Sequence, residues 1–154
     1  MTTETQAPAA PPVLTSDGRA WLQGRRDRAA ARLAQVEEEL TLDRSEGLFE
    51  ERRQLQAQMH DWDALLARAV APGELRDDPT LVEVGDEVVV ELPDRTRETL
   101  LIVHPAEAAM DAHRTSSASP LAQAVLGHRP GDRVTVQTPA GVYGCTIVAR
   151  ERSS

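Results

Sequence analysis

The chain contains a single cysteine, Cys145, among its 154 residues. A disulfide needs two thiols, so no bridge can form within the chain. A zinc site built on paired cysteines is excluded for the same reason.

Lysine is absent: all 17 basic residues are arginine, and 25 acidic residues bring the net charge to −8. Nonspecific affinity for nucleic acid comes from neutralising phosphates with Lys and Arg. We therefore expect no sequence-specific nucleic-acid binding by this chain on its own.

Long apolar runs are also missing. No run approaches the roughly 20 residues of a membrane span, and residues 1–13 lack the basic and apolar regions of a signal peptide. We expect a soluble, cytoplasmic, monomeric protein that does not act at a membrane.

Most sequence signatures of enzymes are absent as well. There is no Gly-rich phosphate loop and no nucleophile elbow. The four histidines, which are His60, His104, His113 and His128, do not have the spacing of metal ligands. The sequence predicts that the chain is not itself an enzyme and holds no cofactor of its own.

Two runs of the chain place residues at alternating spacings of three and four, the seam pattern of a coiled coil. The first seam is Leu22, Arg26, Ala29, Leu33, Val36 and Leu40, and the second is Leu48, Arg52, Leu55, Met59, Trp62, Leu66 and Ala69. The break between them, residues 41–47, is short enough for the second helix to fold back on the first. This predicts an antiparallel coiled-coil hairpin over residues 14–71, with arms on the order of 35–40 Å long.

The tip of this hairpin carries two acids, Asp43 and Glu46, at the end of an acidic stretch. Asp followed three residues later by Glu is typical of a capping box at the start of a helix. Carboxylates are also the ligands that Mg²⁺ prefers, so an exposed pair can be delivered to a metal ion in another protein. Both interpretations can hold together.

The first arm is basic near its base. Arg25, Arg28 and Arg32 share one helix face, with Arg26 beside them. This face is either an ordinary solvated coiled-coil surface or a docking surface for an acidic or nucleic-acid-rich partner.

The other segments differ in composition. Residues 1–13, rich in Ala, Pro and Thr, predict a disordered tail, and residues 72–80 a polar linker. Residues 81–154 predict a small antiparallel sheet with one short helix, from strands at 81–92, 96–103, 133–138 and 141–150. The fold class expected for the whole chain is therefore α+β.

Residues 119–141, which read SPLAQAVLGHRPGDRVTVQTPAG, resemble the C-terminal domain of the bacterial Gre transcription factors. That family has a Ser-Pro-x-Gly-x-Ala-Leu-x-Gly helix, then Gly-Asp-x-Val and a Pro-x-Gly hairpin. The Leu-Thr-x-x-Gly of residues 14–18 is similar to the opening of the Gre coiled coil. The resemblance implies a coiled-coil hairpin followed by an FKBP-like domain.

The resemblance also implies a partner and a role. Gre factors bind RNA polymerase, with the globular domain at the rim of the secondary channel and the hairpin inside it. In cleavage-stimulating members, two tip acids help to hold the second Mg²⁺ of the polymerase active centre, where backtracked RNA is hydrolysed. Asp43 and Glu46 match those acids residue for residue, so the resemblance gives them this catalytic and metal-binding role in the complex with polymerase.

The tip departs from the family pattern elsewhere. Gly47 replaces an Asn, Phe49 comes one position before the family's Tyr, and Ala122 stands at a Gly of the globular motif. Both arms are shorter than in typical members by about one to two turns, or roughly 8–10 Å. The chain is therefore either a cleavage stimulator or an inhibitor that occupies the channel without cleavage. A coiled-coil scaffold and a prolyl isomerase are further alternatives, although the single Tyr143 of the second domain is a poor lining for a proline pocket.

Overall fold

Two long helices open the structure, which is a computed structural model describing residues 10–74 and 80–152. Helix α1 spans Ser16–Leu42 and helix α2 spans Glu46–Arg68, joined by a loop of Asp43, Arg44 and Ser45. We call α1, this loop and α2 the prong, and residues 80–152 the globular domain. Ion pairs between the arms run in antiparallel order, Arg26 with Asp63 and Arg32 with Glu51. The predicted helical hairpin is confirmed.

The prong is held together by a narrow apolar seam. The buried apolar side chains of α1 are Leu22, Ala29, Val36 and Leu40, all of them predicted seam positions. No residue of α2 is fully buried. Leu33 of α1 is only partly buried although it lies in the predicted seam.

The two arginines at predicted seam positions, Arg26 and Arg52, each contact a polar or aromatic side chain. Arg26 donates from Nε to Oδ1 of Asp63 at 2.8 Å. The guanidinium of Arg52 lies 5.2 Å from the centroid of the Phe49 ring. Each cation therefore has a partner next to the apolar seam. Burying the charge without a partner would be energetically costly.

The last residues of the segment predicted as a tail pair with the chain that follows α2. Residues 1–9 lie outside the described residues, but Pro12 accepts a hydrogen bond from the Val70 amide at 2.9 Å. The Leu14 amide in turn donates to the Val70 carbonyl at 3.0 Å. This pairing with Val70, two residues after the end of α2, satisfies backbone groups of both segments.

The globular domain is built on a five-stranded sheet. Its strands are β1 Asp86–Glu91, β2 Arg97–Val103, β3 Arg114–Ser116, β4 Arg133–Thr138 and β5 Gly141–Arg152. They lie in the order β3-β2-β1-β5-β4. The predicted α+β class is confirmed.

The sheet is mixed, and the prediction of a purely antiparallel sheet is wrong. Strand β3 pairs parallel to β2, and the other pairs are antiparallel. Between β2 and β3 the chain forms a one-turn helix, α3 (Pro105–Ala108), in a segment for which the sequence predicted no helix or strand. Elements of three or four residues are too short to show a hydrophobic period, so the sequence pattern could not reveal them.

Helix α4 (Pro120–Val125) covers one face of this sheet. Its cap is Ser119, whose hydroxyl accepts from the Ala122 amide at 3.3 Å. Ala122 and Val125 are fully buried against strand residues. The core consists of Val82, Val88, Val90, Ile102, Ala122, Val125, Val134, Val136, Cys145 and Ile147. Ala122 therefore contributes its methyl group to the core.

The first predicted strand begins later than expected, at Asp86 rather than at residue 81. Val82 still belongs to the core, but Gly85 interrupts the extended chain with a φ of 96°. Only glycine adopts this conformation readily. A turn therefore separates Val82 from strand β1.

Within the described ranges, no helix is both long enough and apolar enough to cross a membrane.

Candidate functional site

The predicted site lies at the far end of the prong. Asp43 ends α1 with extended backbone angles (φ −135°, ψ 111°), and its amide donates to the Glu39 carbonyl at 2.8 Å. Helix α2 begins at Glu46. Both helices thus extend into the predicted break of residues 41–47, and the turn is tighter than the sequence suggested.

Ser45, not Asp43, caps the second helix. Its Oγ accepts a hydrogen bond from the Leu48 amide at 3.3 Å. The capping-box interpretation of Asp43-x-x-Glu46 is therefore wrong, because Asp43 stands two residues before the cap. Sequence reasoning missed Ser45, although serine directly before a helical run is a preferred N-cap.

Asp43 and Glu46 are both exposed. Neither side chain has a hydrogen bond or ion pair with any other residue that the structure describes. Glu46 occupies the first turn of α2, where a negative charge interacts favourably with the helix dipole. Two carboxylates on this turn are therefore available to a ligand from outside the chain.

The tip does not form a complete metal site by itself. Among the described residues, no group of three or more His, Cys, Asp or Glu side chains could hold a metal ion. Mg²⁺ requires near-octahedral coordination by about six oxygen atoms. Asp43 and Glu46 fit a role as two ligands of a metal whose other ligands belong to a different molecule.

Aromatic and basic residues are close to the two acids in the sequence. The ring centroid of Phe49 lies 5.9 Å from Cζ of Arg44 and 5.2 Å from Cζ of Arg52. Such cation–π contacts are worth about 0.5–1 kcal/mol at exposed sites. Leu42, directly before Asp43, is 89% exposed. The tip therefore presents acidic, basic and apolar groups within a few residues.

The basic face of the first arm is largely engaged within the prong. Arg32 binds Glu51 through two hydrogen bonds of 2.7 and 2.9 Å, which lower the pKa of the Glu51 carboxyl. Arg25 lies between the rings of Trp21 and Trp62, at 4.8 and 5.2 Å. This geometry favours the interpretation of the face as a coiled-coil surface stabilised by internal pairs.

A cleft of about 430 Å³ lies between the chain segments that flank the prong, residues 10–13 and 71–73, and the globular domain. Its lining is mostly aliphatic and includes Pro11, Pro12, Leu81, Val82 and Leu126. The described lining residues include no Phe, Tyr or Trp. Because a proline pocket needs aromatic walls, the cleft gives no support to a prolyl isomerase.

Comparison with known proteins places this architecture in a family. The family model described as "Transcription elongation factor, GreA/GreB, C-term" matches residues 78–152. Transcription elongation factor GreA of Geobacillus kaustophilus is 43% identical over 86 residues, which are 55% of this chain and 54% of that protein. GreA of Chloroflexus aurantiacus is 36% identical over 151 residues, covering 90% of this chain and 96% of the relative. The chain belongs to the GreA/GreB family.

A solved structure is also similar to this chain. Gfh1 of Thermus aquaticus is 27% identical, and the match covers 93% of this chain and 99% of that chain with a TM-score of 0.43.

The residues that match the GreA/GreB family model include α3, the short helix of the globular domain that contacts α1. Sequence reasoning noted the Leu-Thr-x-x-Gly of residues 14–18 but missed its partner, Glu107, which is fully buried. Glu107 lies in α3, whose single turn carries no periodic signal. Its position directly after Pro105 and Ala106 marks a helix start, but nothing in the sequence marks its burial.

Replacing Ser45 with Ala should lower the free energy of unfolding of the prong by about 1 kcal/mol, because the Leu48 amide loses its capping acceptor. Thermal unfolding followed by circular dichroism at 222 nm measures this. Asp43→Ala is the matched variant and should be nearly neutral. A larger loss in Asp43→Ala than in Ser45→Ala would mean that Asp43 caps the helix in solution.

Proposed function

We propose that this chain regulates transcription elongation by binding RNA polymerase in the secondary channel. The globular domain binds at the rim of the channel and the prong enters it, tip first. The observation that carries the proposal is the tip itself: two exposed carboxylates with no partners among the described residues, at the end of a prong in a GreA/GreB-family chain. Helix α1 has 27 residues, so the tip lies about 40 Å from the base.

The carboxylates of Asp43 and Glu46 are the groups proposed to act on the polymerase. The turn that carries them is bounded by the end of α1 on one side and by the Ser45 cap of α2 on the other. The second Mg²⁺ of the polymerase active centre would supply the activation of the water that hydrolyses backtracked RNA. The chain's own part is to place two carboxylate oxygens beside that metal, so it acts as a cofactor of the polymerase and not as an enzyme.

A second candidate is a factor that occupies the channel without stimulating cleavage. The alignment with the Chloroflexus relative spans 151 positions, yet it covers only 90% of the 154 residues of this chain. The relative thus has residues in this stretch that the chain lacks, as shorter arms would require. A prong about 8–10 Å shorter would leave its carboxylates outside the distance of about 2 Å at which oxygen binds Mg²⁺.

One transcript-cleavage assay on stalled elongation complexes separates the two candidates. A stimulator shortens the backtracked RNA from its 3′ end faster than polymerase alone does. An occupant instead slows extension of a correctly positioned RNA and produces no shorter RNA. An effect on neither reaction, at concentrations that saturate binding, would contradict both candidates.

Binding to polymerase should depend on the globular domain and survive loss of the tip. We expect a variant in which residues 41–47 are replaced by a neutral turn to bind with an affinity within about threefold of wild type. The reason is that the proposal assigns most of the binding contacts to the globular domain, so the tip contributes a minor part of the interface. Pull-down with purified RNA polymerase, followed by titration, measures this. Loss of binding in this variant would show that the tip carries the affinity.

A scaffold function explains less of the chain. A coiled-coil scaffold accounts for the prong but gives no role to the globular domain, which carries the family match at residues 78–152. A shift to dimer or higher mass in light scattering, together with no binding to polymerase, would favour the scaffold.

A further inference from the structure

We infer that Glu107 is a positioning residue that sets the direction in which the prong leaves the globular domain. The inference rests on the proposed function, because that direction decides where Asp43 and Glu46 lie when the globular domain is bound to polymerase.

Glu107 is a fully buried carboxylate at the junction of the two parts of the molecule. Its Oε2 accepts a hydrogen bond from the Thr15 amide at 3.1 Å, and its Oε1 accepts one from the Thr15 hydroxyl. Arg114 donates from Nε to the same Oε1 at 3.2 Å. One side chain of the globular domain thus binds the start of α1 through both of its oxygen atoms.

The prong side of this junction is shaped to receive the carboxylate. Thr15 is the N-cap of α1, and its hydroxyl also accepts from the Gly18 amide at 3.0 Å. A Cβ at Gly18 would lie 2.1 Å from Cδ of Glu107, so a larger residue fits only if the Glu107 side chain or the prong moves. The positive end of the helix dipole meets the negative carboxylate at this point. Contact, hydrogen bonding and charge all fix the same direction.

The globular side holds Glu107 equally firmly. The Arg114 side chain is 8% exposed and pairs with both Glu107 and Asp111. Arg114 begins β3, which is part of the sheet. The carboxylate is therefore anchored to the rigid part of the globular domain and not to a free loop.

Both arms of the prong move with this junction. Arg19 donates to the carbonyl oxygens of Leu66 and Ala69 at 3.1 and 2.8 Å, which joins the start of α1 to the end of α2. The pairing of Leu14 with Val70 adds a backbone link at the same level. Any rotation at Thr15 and Gly18 is therefore passed to the whole prong.

The length of the prong makes this rotation important. Over about 40 Å of helix, a change of roughly 10° at the base displaces the tip by on the order of 7 Å. A burial contact between apolar residues would also join the two parts, but it is not directional. Hydrogen bonds to both oxygens of a buried carboxylate fix an angle, and in some proteins a buried ionic group is retained for such conformational specificity despite its desolvation cost.

The test compares Glu107→Gln and Gly18→Ala with wild type. Glu107→Gln removes the charge and replaces one acceptor with an amide donor, and Gly18→Ala presses on the same carboxylate from the prong. Gly24→Ala is the matched control, since a Cβ there meets only the end of the Arg28 side chain at 3.5 Å. Gly18→Ala also serves if Glu107→Gln does not fold, as judged by circular dichroism.

The direction of the prong is measured by pulsed electron paramagnetic resonance between spin labels at Leu42→Cys and Val142→Cys. These positions are 89% and 67% exposed, whereas the native Cys145 is buried. Burial also raises the pKa of its thiol, which keeps it from reacting. We expect a single narrow distance distribution in wild type and Gly24→Ala, and a shifted or broadened one in Glu107→Gln and Gly18→Ala. An unchanged distribution in the folded junction variants overturns the inference.

The effect on polymerase is measured with unlabelled protein in the cleavage or extension assay. We define the tip-dependent activity of a protein as the part of its activity that is lost when Asp43→Asn is introduced. We expect the tip-dependent activity of both junction variants at saturation to be about tenfold or more below that of wild type, since misplacing a reacting group by about 1 Å can cost on the order of 100-fold in rate. The concentration of variant that gives half of its maximal effect should change little. A shifted distribution with full tip-dependent activity would overturn the inference. If wild type shows no tip-dependent activity, the proposed carboxylate role fails, and the distance distributions alone decide whether Glu107 sets the direction.

Discussion

Replacing Asp43 with Asn, or Glu46 with Gln, should abolish whatever cleavage of backtracked RNA the wild-type chain stimulates. The amide keeps the shape of the carboxylate but loses the charge that a metal requires. A metal supplies several kcal/mol of charge stabilisation to the transition state, so losing the groups that hold it costs about 100-fold or more in rate. The measurement is the rate of RNA shortening in stalled elongation complexes. Binding to polymerase should be unchanged, because neither side chain has a structural partner in the described residues.

Glu38→Gln is the matched control for this prediction. Glu38 is exposed, lies on the same end of the prong and loses the same charge, but it is outside the tip turn. It should retain wild-type cleavage. Equal inhibition of extension by wild type and the Asp43→Asn, Glu46→Gln double variant, without cleavage by either, would instead establish the second candidate, in which the prong only occupies the channel.

Replacing Val36 with Asp should melt the prong while the globular domain stays folded. Val36 has no exposed surface and lies in the seam between α1 and α2. An unpaired carboxylate there costs several kcal/mol, more than a two-helix seam of this size can absorb. Both tryptophans, Trp21 and Trp62, lie on the prong, so their fluorescence should shift to that of solvated indole. The globular domain has its own core, which contains no prong residue.

Ala31→Asp is the control for the seam variant. Ala31 is an exposed residue of the same helix, so a charge there costs only the difference in helix propensity, about 0.7 kcal/mol. Its helical signal at 222 nm should match that of wild type. Amide spectra by NMR test the other half of the prediction, since residues 80–152 should remain well dispersed in Val36→Asp. Collapse of those signals would mean that the globular domain depends on the prong for its fold.

Elements with a long hydrophobic period were predictable. The spacing of Leu22, Ala29, Val36 and Leu40 indicated one buried stripe, and these residues are buried against the second arm. The start of α4 at Ser119-Pro120 also carries local signals, a capping hydroxyl and a proline in the first turn. The exact turn at the tip was not predictable, since Asp43 and Ser45 are both acceptable caps and only the packing of the two arms selects between them.

The parallel pairing of β3 with β2 shows a different limit. Strand pairing joins residues that are distant in the sequence, such as Leu101 and Arg114, and depends on the path of the chain between them. A three-residue strand contains too few side chains to show which neighbour it will have. The same holds for Glu107, whose charge suggests a surface residue. Its partner Thr15 is 92 residues away in the sequence, and only the fold brings the two within hydrogen-bond distance.

What the sequence by itself determined is the helical prong, the α+β class of the second part and the position of Asp43 and Glu46 near the tip. These follow from local periodicity and turn chemistry, which each short segment carries on its own. Only the tertiary structure decided that Ser45 caps α2, that Arg25 and Arg32 are engaged within the prong, and that Glu107 joins the prong to the globular domain. The physical reason is that these contacts depend on the relative placement of segments, which the packing of the whole chain sets.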